Sequence, residues 1–246
     1  MQVTSSKPAI EPRSVLVVGG SGGIGGAISR AFAAEGCKVI ATGVARHERD
    51  EIHASAEAID ARLLDVTSAN EIETLVGTLT QLDVLINAAG TIMRQGAEHE
   101  PDAFEHVIDV NLNGMMRVCF ACKPLLVAKG GCVVNIASML SFFGSGQAPA
   151  YSASKGGVAQ LTKSLAIAWA SQGVRVNAVA PGWIETALTA PLVDDPVRRT
   201  AILDRTPMAR WGVPEDVTGA VQFLCSPAAA FITGVVLPVD GGYSIA

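Results

Sequence analysis

Val15-Leu16-Val17-Val18 runs directly into Gly19-Gly20-Ser21-Gly22-Gly23-Ile24-Gly25-Gly26, and the glycines give way to Ala27-Ile28-Ser29-Arg30-Ala31-Phe32-Ala33-Ala34-Glu35-Gly36. An apolar strand, a turn nearly free of Cβ atoms and an amphipathic helix therefore follow one another without a gap. A flexible linker explains neither the strand before the glycines nor the helix after them. A strand-turn-helix unit in which backbone N–H groups approach a pyrophosphate explains both, because the helix N-terminus adds a favourable dipole for the negative charge.

Further apolar segments recur near Val39, Leu63, Val84, Val133, Val174 and Val235, separated by helix-length stretches. With Val15 these make seven strands of a parallel sheet covered by helices on both faces, a doubly wound α/β arrangement. Its crossovers are expected to be right-handed. The chain has 246 residues, 49% of them hydrophobic, enough for one large core, and no linker, repeat or low-complexity tract divides it. We expect one domain over residues 13–246 and a flexible arm over residues 1–12, whose polar, proline-containing sequence is unlike a signal peptide. The most membrane-like stretch, Ala220 to Val239, is broken by Gln222, Ser226, Pro227 and Pro238, and divides into a helix and a last strand. A formal charge of -5 with scattered basic residues offers no patch for nucleic acid. These features exclude membrane and nucleic-acid partners from the expectation and point to a cytoplasmic protein acting on a small molecule.

Chemistry is concentrated in Tyr151-Ser152-Ala153-Ser154-Lys155. Residues at i and i+4 share a helix face, so the Lys155 ammonium is expected beside the Tyr151 phenol. A phenol has an ordinary pKa of about 10, and acid-base work near neutrality asks for a downward shift of roughly 3 units, to which a neighbouring cation contributes. Ser138 ends the buried-strand run Gly131-Cys132-Val133-Val134-Asn135-Ile136-Ala137, upstream of the tyrosine helix. There it can face the phenol and orient a substrate oxygen.

Together these pieces resemble the short-chain dehydrogenase/reductase family in its single-domain, Rossmann-fold form, over nearly the whole chain. The family's Thr-Gly-x-x-x-Gly-x-Gly falls on Val18 to Gly25, so the resemblance places Gly19, Ser21, Gly22, Gly23, Ile24 and Gly25 against the cofactor. Val18 replaces the usual threonine, whose hydroxyl braces the turn, so another group must satisfy the backbone there. Asn-Asn-Ala-Gly appears as Asn87-Ala88-Ala89-Gly90, and Asp65-Val66 looks like the adenine contact. Pro181-Gly182-Trp183-Ile184-Glu185-Thr186 looks like the segment covering the nicotinamide carboxamide, which adds Pro181, Gly182, Ile184 and Thr186 to the cofactor contacts. The resemblance implies four catalytic residues: Asn111 anchoring a water relay, Ser138 positioning the reacting oxygen, Tyr151 as acid and base, and Lys155 tuning the phenol and holding the nicotinamide ribose. It implies reversible hydride transfer between a secondary alcohol and a ketone with NAD or NADP. It also implies a homotetramer, with the Cys119 and Tyr151 helices and the strand at Val235 to Val239 meeting neighbours.

At the end of the second strand, where an acidic side chain would select NAD by binding the ribose hydroxyls, stands Gly43, and Arg46 follows. This tilts the expectation slightly to NADP. Asn135 to Phe142 and Ile202 to Gly212 resemble sugar-acid dehydrogenases of the 2-dehydro-3-deoxygluconate 5-dehydrogenase type. Candidate substrate contacts are Ser138, Leu140, Arg94 as a carboxylate clamp or a solvated arginine, and Trp183 as pocket wall or packing. Leu188 to Thr206, with Pro191, Pro196 and Asp194-Asp195, reads as a substrate lid. Five cysteines suggest no disulfide framework, and Cys119-x-x-Cys122 reads as packing, so no metal is expected. No role attaches to His47, His53, His99 or His106, and Trp169 reads as core. Two rivals remain: a 3-oxoacyl thioester reductase, and a nucleotide-binding regulator without catalysis, for which loss of the tyrosine or lysine would have been the signature.

Overall fold

The computed structural model describes residues 12–55 and 58–246, so nearly all of the expected N-terminal arm lies outside the described residues. Its strands are β1 (Ser14–Val18), β2 (Lys38–Gly43), β3 (Ile59–Leu63), β4 (Val84–Asn87), β5 (Cys132–Ile136), β6 (Arg175–Pro181) and β7 (Val236–Val239). Between them lie α1 (Gly23–Ala34), α2 (Arg46–Ser55), α3 (Ala69–Gly77), α4 (Pro101–Ile108), α5 (Met115–Lys129), α6 (Pro149–Trp169), α7 (Ala190–Val193), α8 (Pro196–Arg205) and α9 (Pro214–Cys225). The strands form one seven-stranded sheet in the order β3-β2-β1-β4-β5-β6-β7, and every pairing is parallel.

Strand alternation sorts the core into two layers. Val15 and Val17 pack with Ile28 and Phe32 of α1, Ile52 of α2 and Val217 and Val221 of α9. Leu16 and Val18 turn the other way, onto Ile72 of α3, Met115 and Val118 of α5 and Val158 and Trp169 of α6. Both faces are covered, which is why the strand sequences are continuous apolar runs rather than alternating ones. Trp169 is buried as expected, and so are Cys119 and Cys122, whose thiols burial pushes up to about 12. Pro238, which cannot donate to a ladder, sits in the edge strand β7.

The strand order switches sides between β1 and β4, and the carboxyl ends of those two parallel strands open the crevice in which doubly wound folds bind ligands. The loops touch there. A Cβ on Gly19, whose φ is +75°, would lie 2.4 Å from the Ala89 nitrogen. Between α4 and α5 the chain winds as a π-helix over Asp109–Gly114, a wider turn that often marks a functional position. Pro149 opens α6 at a position where its missing N–H costs nothing. The segment read as a lid folds into α7 and α8, the latter started by the Asp195 carboxylate accepting from the N–H groups of Val197 and Arg198.

Candidate active site

A cavity of about 630 Å³ runs along the carboxyl edge of the sheet. Its wall takes Gly19 and Ser21–Gly25 from the turn after β1, Gly43 and Val44 from β2, Leu64–Thr67 after β3, Ala88–Thr91 after β4, Ile136 of β5, Tyr151 and Lys155 of α6, and Thr186–Leu188 after β6. His106 and Val110 complete it.

The glycine turn is tight because its two limbs meet: a Cβ on Gly25 would stand 1.9 Å from the Gly19 carbonyl oxygen. Ser29 locks this arrangement by donating its hydroxyl to the carbonyls of Gly20 and Gly25, each at 3.0 Å. The brace that Val18 cannot supply comes from β2, where the Thr42 hydroxyl, fully buried, accepts the Gly19 N–H at 3.4 Å. Gly22 faces open space, with nothing within 4 Å of a Cβ placed there. A turn of this form, open in front of Gly22 at the start of α1, fits a dinucleotide pyrophosphate. After β3, the Asp65 carboxylate accepts from the N–H and hydroxyl of Thr67, which fixes that turn.

Several expected cofactor residues stand outside the cavity wall. Asn87 is buried and donates to the Asn135 side-chain oxygen at 2.9 Å and to the Cys119 sulfur at 3.2 Å. Asn135 in turn donates to Thr162, so Asn87 begins a polar chain beneath the site. Ile184 is core, bridged to Gly212. Pro181 ends β6, and Gly182 packs so closely on Asp240 that a Cβ would lie 2.7 Å from it. Thr186, from the same segment, does reach the cavity, 3.4 Å from a Cβ on Gly23.

At the end of the cavity formed by β5 and α6, Ser138 caps the short turn Met139–Ser141, accepting the Leu140 N–H at 3.2 Å. Its hydroxyl stands near enough to the Tyr151 phenol to draw that phenol's pKa down. The Ser141 hydroxyl donates to the Lys155 carbonyl at 2.7 Å, tying this turn to α6. Lys155 is buried and donates to the Ile136 carbonyl at 2.7 Å, with its ammonium 5.5 Å from the centre of the Tyr151 ring. A Cβ on Gly90 would lie 3.4 Å from the Asn111 side-chain oxygen and 3.6 Å from the Lys155 ammonium, so the loop after β4 packs directly beside both groups. Asn111, fully buried in the π-helix, accepts the Thr91 N–H and donates to the Thr91 carbonyl and the Ser154 hydroxyl. Both of its amide donors are therefore engaged in bracing the loop after β4 against α6.

The electrostatics differ from the expectation in one respect. Burial raises the Tyr151 phenol above its ordinary value; the Ser138 hydroxyl and the Arg94 charge pull it down, and the Glu98 carboxylate pushes it up. Burial also lowers the Lys155 ammonium to about 8. The pair is placed as the i, i+4 spacing requires, but the spacing gave no sign of the desolvation both groups undergo.

Of the substrate candidates, Arg94 donates to the Leu188 carbonyl, reaching from the loop after β4 to the start of the lid segment, and burial lowers its pKa. Leu140 lies in the Ser138 turn. Trp183 packs edge-on to Tyr243 and against Trp211, with ring centres 6.1 and 5.7 Å away, and lines a smaller cavity of about 230 Å³ with Met208 and Asp240. Sequence reading missed Glu98, which bears on Tyr151, and Thr42. The signal for Thr42 was present: a hydroxyl residue in the strand beside the glycine turn.

Comparison with known proteins agrees with this geometry. A family model described as enoyl-(acyl carrier protein) reductase matches residues 19–244. The chain is 38% identical over 243 residues to a 2-dehydro-3-deoxy-D-gluconate 5-dehydrogenase of Bacillus subtilis, covering 96% of each. It is 38% identical to a galactitol 2-dehydrogenase (L-tagatose-forming) of Cereibacter sphaeroides, over 93% of this chain and 94% of that one. A gluconate 5-dehydrogenase of Burkholderia cenocepacia, crystallised with NADP and tartrate, superposes with a TM-score of 0.89 at 31% identity, covering 96% of this chain and 97% of that one. No helix among the described residues is long and apolar enough to cross a membrane. The chain belongs to the short-chain dehydrogenase/reductase family of NAD(P)-dependent oxidoreductases that interconvert secondary alcohols and ketones.

Proposed function

We propose that this enzyme interconverts a secondary hydroxyl and a ketone on a sugar acid or a closely related small hydroxy acid, with NADP as the preferred coenzyme. The observation that carries the reading is the buried Lys155 ammonium, anchored on the Ile136 carbonyl and 5.5 Å from the centre of the Tyr151 ring, with Ser138 and Arg94 close enough to act on the phenol. When bound, the nicotinamide supplies the hydride acceptor or donor. In oxidation, ionised Tyr151 takes the hydroxyl proton while Ser138 hydrogen-bonds the same oxygen and fixes its distance from the phenol. Lys155, anchored on Ile136, contributes positive charge that favours the phenolate, and Asn111 keeps the loop after β4 in place against α6. Reduction reverses the proton transfer. Support for NADP comes from Gly43 at the end of β2, which presents no carboxylate, and from Arg46 in the first turn of α2. The relative crystallised with NADP and tartrate supports both the coenzyme and an acidic hydroxylated substrate.

A panel of D-gluconate, 2-dehydro-3-deoxy-D-gluconate, galactitol, cyclic alcohols and 3-oxoacyl thioesters, run with both coenzymes, tests this. Arg94→Ala is expected to raise the KM for the acidic substrate about tenfold or more while changing kcat less than about threefold, and to leave the KM for neutral galactitol unchanged. An unchanged KM for the sugar acid removes Arg94 from the substrate site. Preferred turnover of oxoacyl thioesters, or a strong NAD preference, overturns the corresponding half of the proposal.

The assembly follows the family expectation of a homotetramer. Phe120 on α5 is 51% exposed, Ile167 on α6 82%, Phe231 104% and Ile245 89%, a set of apolar side chains spread over the two long helices and the β7 edge. Sedimentation is expected to give a species of about four times the 25.4 kDa chain mass; a single species at the chain mass would contradict it.

A further inference from the structure

Glu98 is fully buried in the short helical turn Ala97–His99, and the chemistry described so far makes no use of it. A carboxylate withdrawn from water needs partners, and Glu98 has two. One oxygen accepts the Met93 N–H at 2.9 Å, the other the Tyr151 N–H at 2.9 Å. Tyr151 is the third residue of α6, where backbone N–H groups have no partner within the helix and the dipole favours a negative charge. Met93 precedes Arg94, whose guanidinium reaches the Leu188 carbonyl. One carboxylate thus joins the segment that carries Arg94 to the backbone of the residue that carries the phenol.

We infer that Glu98 is a positioning residue that holds the Arg94 segment and the first turn of α6 in register around the Tyr151 phenol. This rests on the reading of Tyr151 as the acid-base. The groups facing the phenol are Ser138 from the turn after β5, Arg94 and Glu98 from the loops before α4, and Lys155 from α6 itself. Of these, Glu98 is the one that carries negative charge and opposes ionisation. At neutral pH that charge favours Tyr151 as the proton donor of the reductive direction.

The test measures kcat for oxidation of D-gluconate, or of the panel substrate turned over fastest, against pH in the intact enzyme. Oxidation needs the phenolate, so its rate rises with pH through the phenol pKa. Glu98→Gln removes the charge, and the rising limb is expected to move to lower pH by about 0.5 or more. Glu98→Asp keeps the charge and is expected to hold the limb within about 0.2 of wild type while kcat falls at least about fivefold, because the shorter chain cannot reach both N–H groups. NADPH affinity, read by fluorescence, is expected to stay within about twofold in both. A Glu98→Gln limb at the wild-type position, or a Glu98→Asp limb displaced as far as that of Glu98→Gln, overturns the inference. Should Glu98→Gln not fold, Glu98→Asp decides alone: a lowered kcat with intact NADPH binding supports it, and an unchanged kcat overturns it. Tyr151→Phe separates the two readings. If it remains active, the acid-base assignment fails; if it is inactive while the Glu98→Gln limb is unmoved, only the role of Glu98 fails.

Discussion

Tyr151→Phe is expected to lower kcat by about 10³-fold or more in both directions and to leave NADPH binding within about twofold of wild type. The ring stays, so the half-buried contact surface at the head of α6 and the approach of Lys155 to its face persist. What goes is the hydroxyl that, in the mechanism proposed above, passes a proton to or from the substrate oxygen while Ser138 orients it. Phenylalanine leaves the Ser138 hydroxyl able to donate to substrate, but with no base behind it. The wild-type oxidation rate is expected to rise with pH through the phenol pKa, and the residual rate of the variant to be flat over the same range. Stability changes little, because the ring that makes the packing contacts is kept and only the hydroxyl of a half-buried residue is lost. More than about a tenth of wild-type turnover would remove Tyr151 from the acid-base role.

Much of this architecture was legible because it rests on spacing. The apolar run Val15-Leu16-Val17-Val18 sends alternate residues into two different cores, and the same rule holds in β4, where Val84 and Ile86 face one layer and Leu85 the other. The glycine turn was readable because Gly19 and Gly25 admit no Cβ. Tyr151 and Lys155 fall together because four residues of helix return to the same face. What stayed hidden depends on contacts across long stretches of chain. Thr42 supplies the hydroxyl missing at Val18 from a neighbouring strand, and Glu98 crosses 53 residues to reach Tyr151. Asn87 sits beside the cofactor loop in sequence, yet the strand parity it shares with Leu85 turns its side chain toward Cys119 on α5. Ile184 shares the fate of Asn87 for the same kind of reason, drawn into the core by its bridge to Gly212. Sequence order places a residue near the crevice, but strand parity and loop packing decide whether it lines it. The raised phenol had no sequence signal either, since desolvation is a property of the assembled pocket.

Lys155→Met is expected to produce a protein that is nearly inactive and more stable than wild type. Burial holds the Lys155 ammonium at about 8, below its ordinary 10.5, so the folded state binds this proton less tightly than the unfolded chain. Below pH 8 the charged form is present in both states, and burying it costs about 3 kcal/mol. Between pH 8 and 10.5 the unfolded chain carries more protons, stability rises with pH, and the cost disappears. Methionine fills the same volume without a charge. It also leaves the Ile136 carbonyl without its donor, a loss of about 1–2 kcal/mol, so the net gain at neutral pH is about 1–2 kcal/mol. That gain should fade as the pH is raised past 8, where wild-type Lys155 is already neutral. Catalysis moves the other way. Without the ammonium beside Tyr151 the phenolate loses the one side-chain cation that α6 places next to it, and kcat is expected to fall by about 10³-fold, with NADPH bound about tenfold more weakly. Thermal melting of both proteins at pH 7 and pH 10 measures the stability side. A variant that melts below wild type at pH 7, or whose advantage persists undiminished at pH 10, would show that Lys155 is not held as a desolvated cation, while substantial turnover would remove it from the proton-transfer machinery.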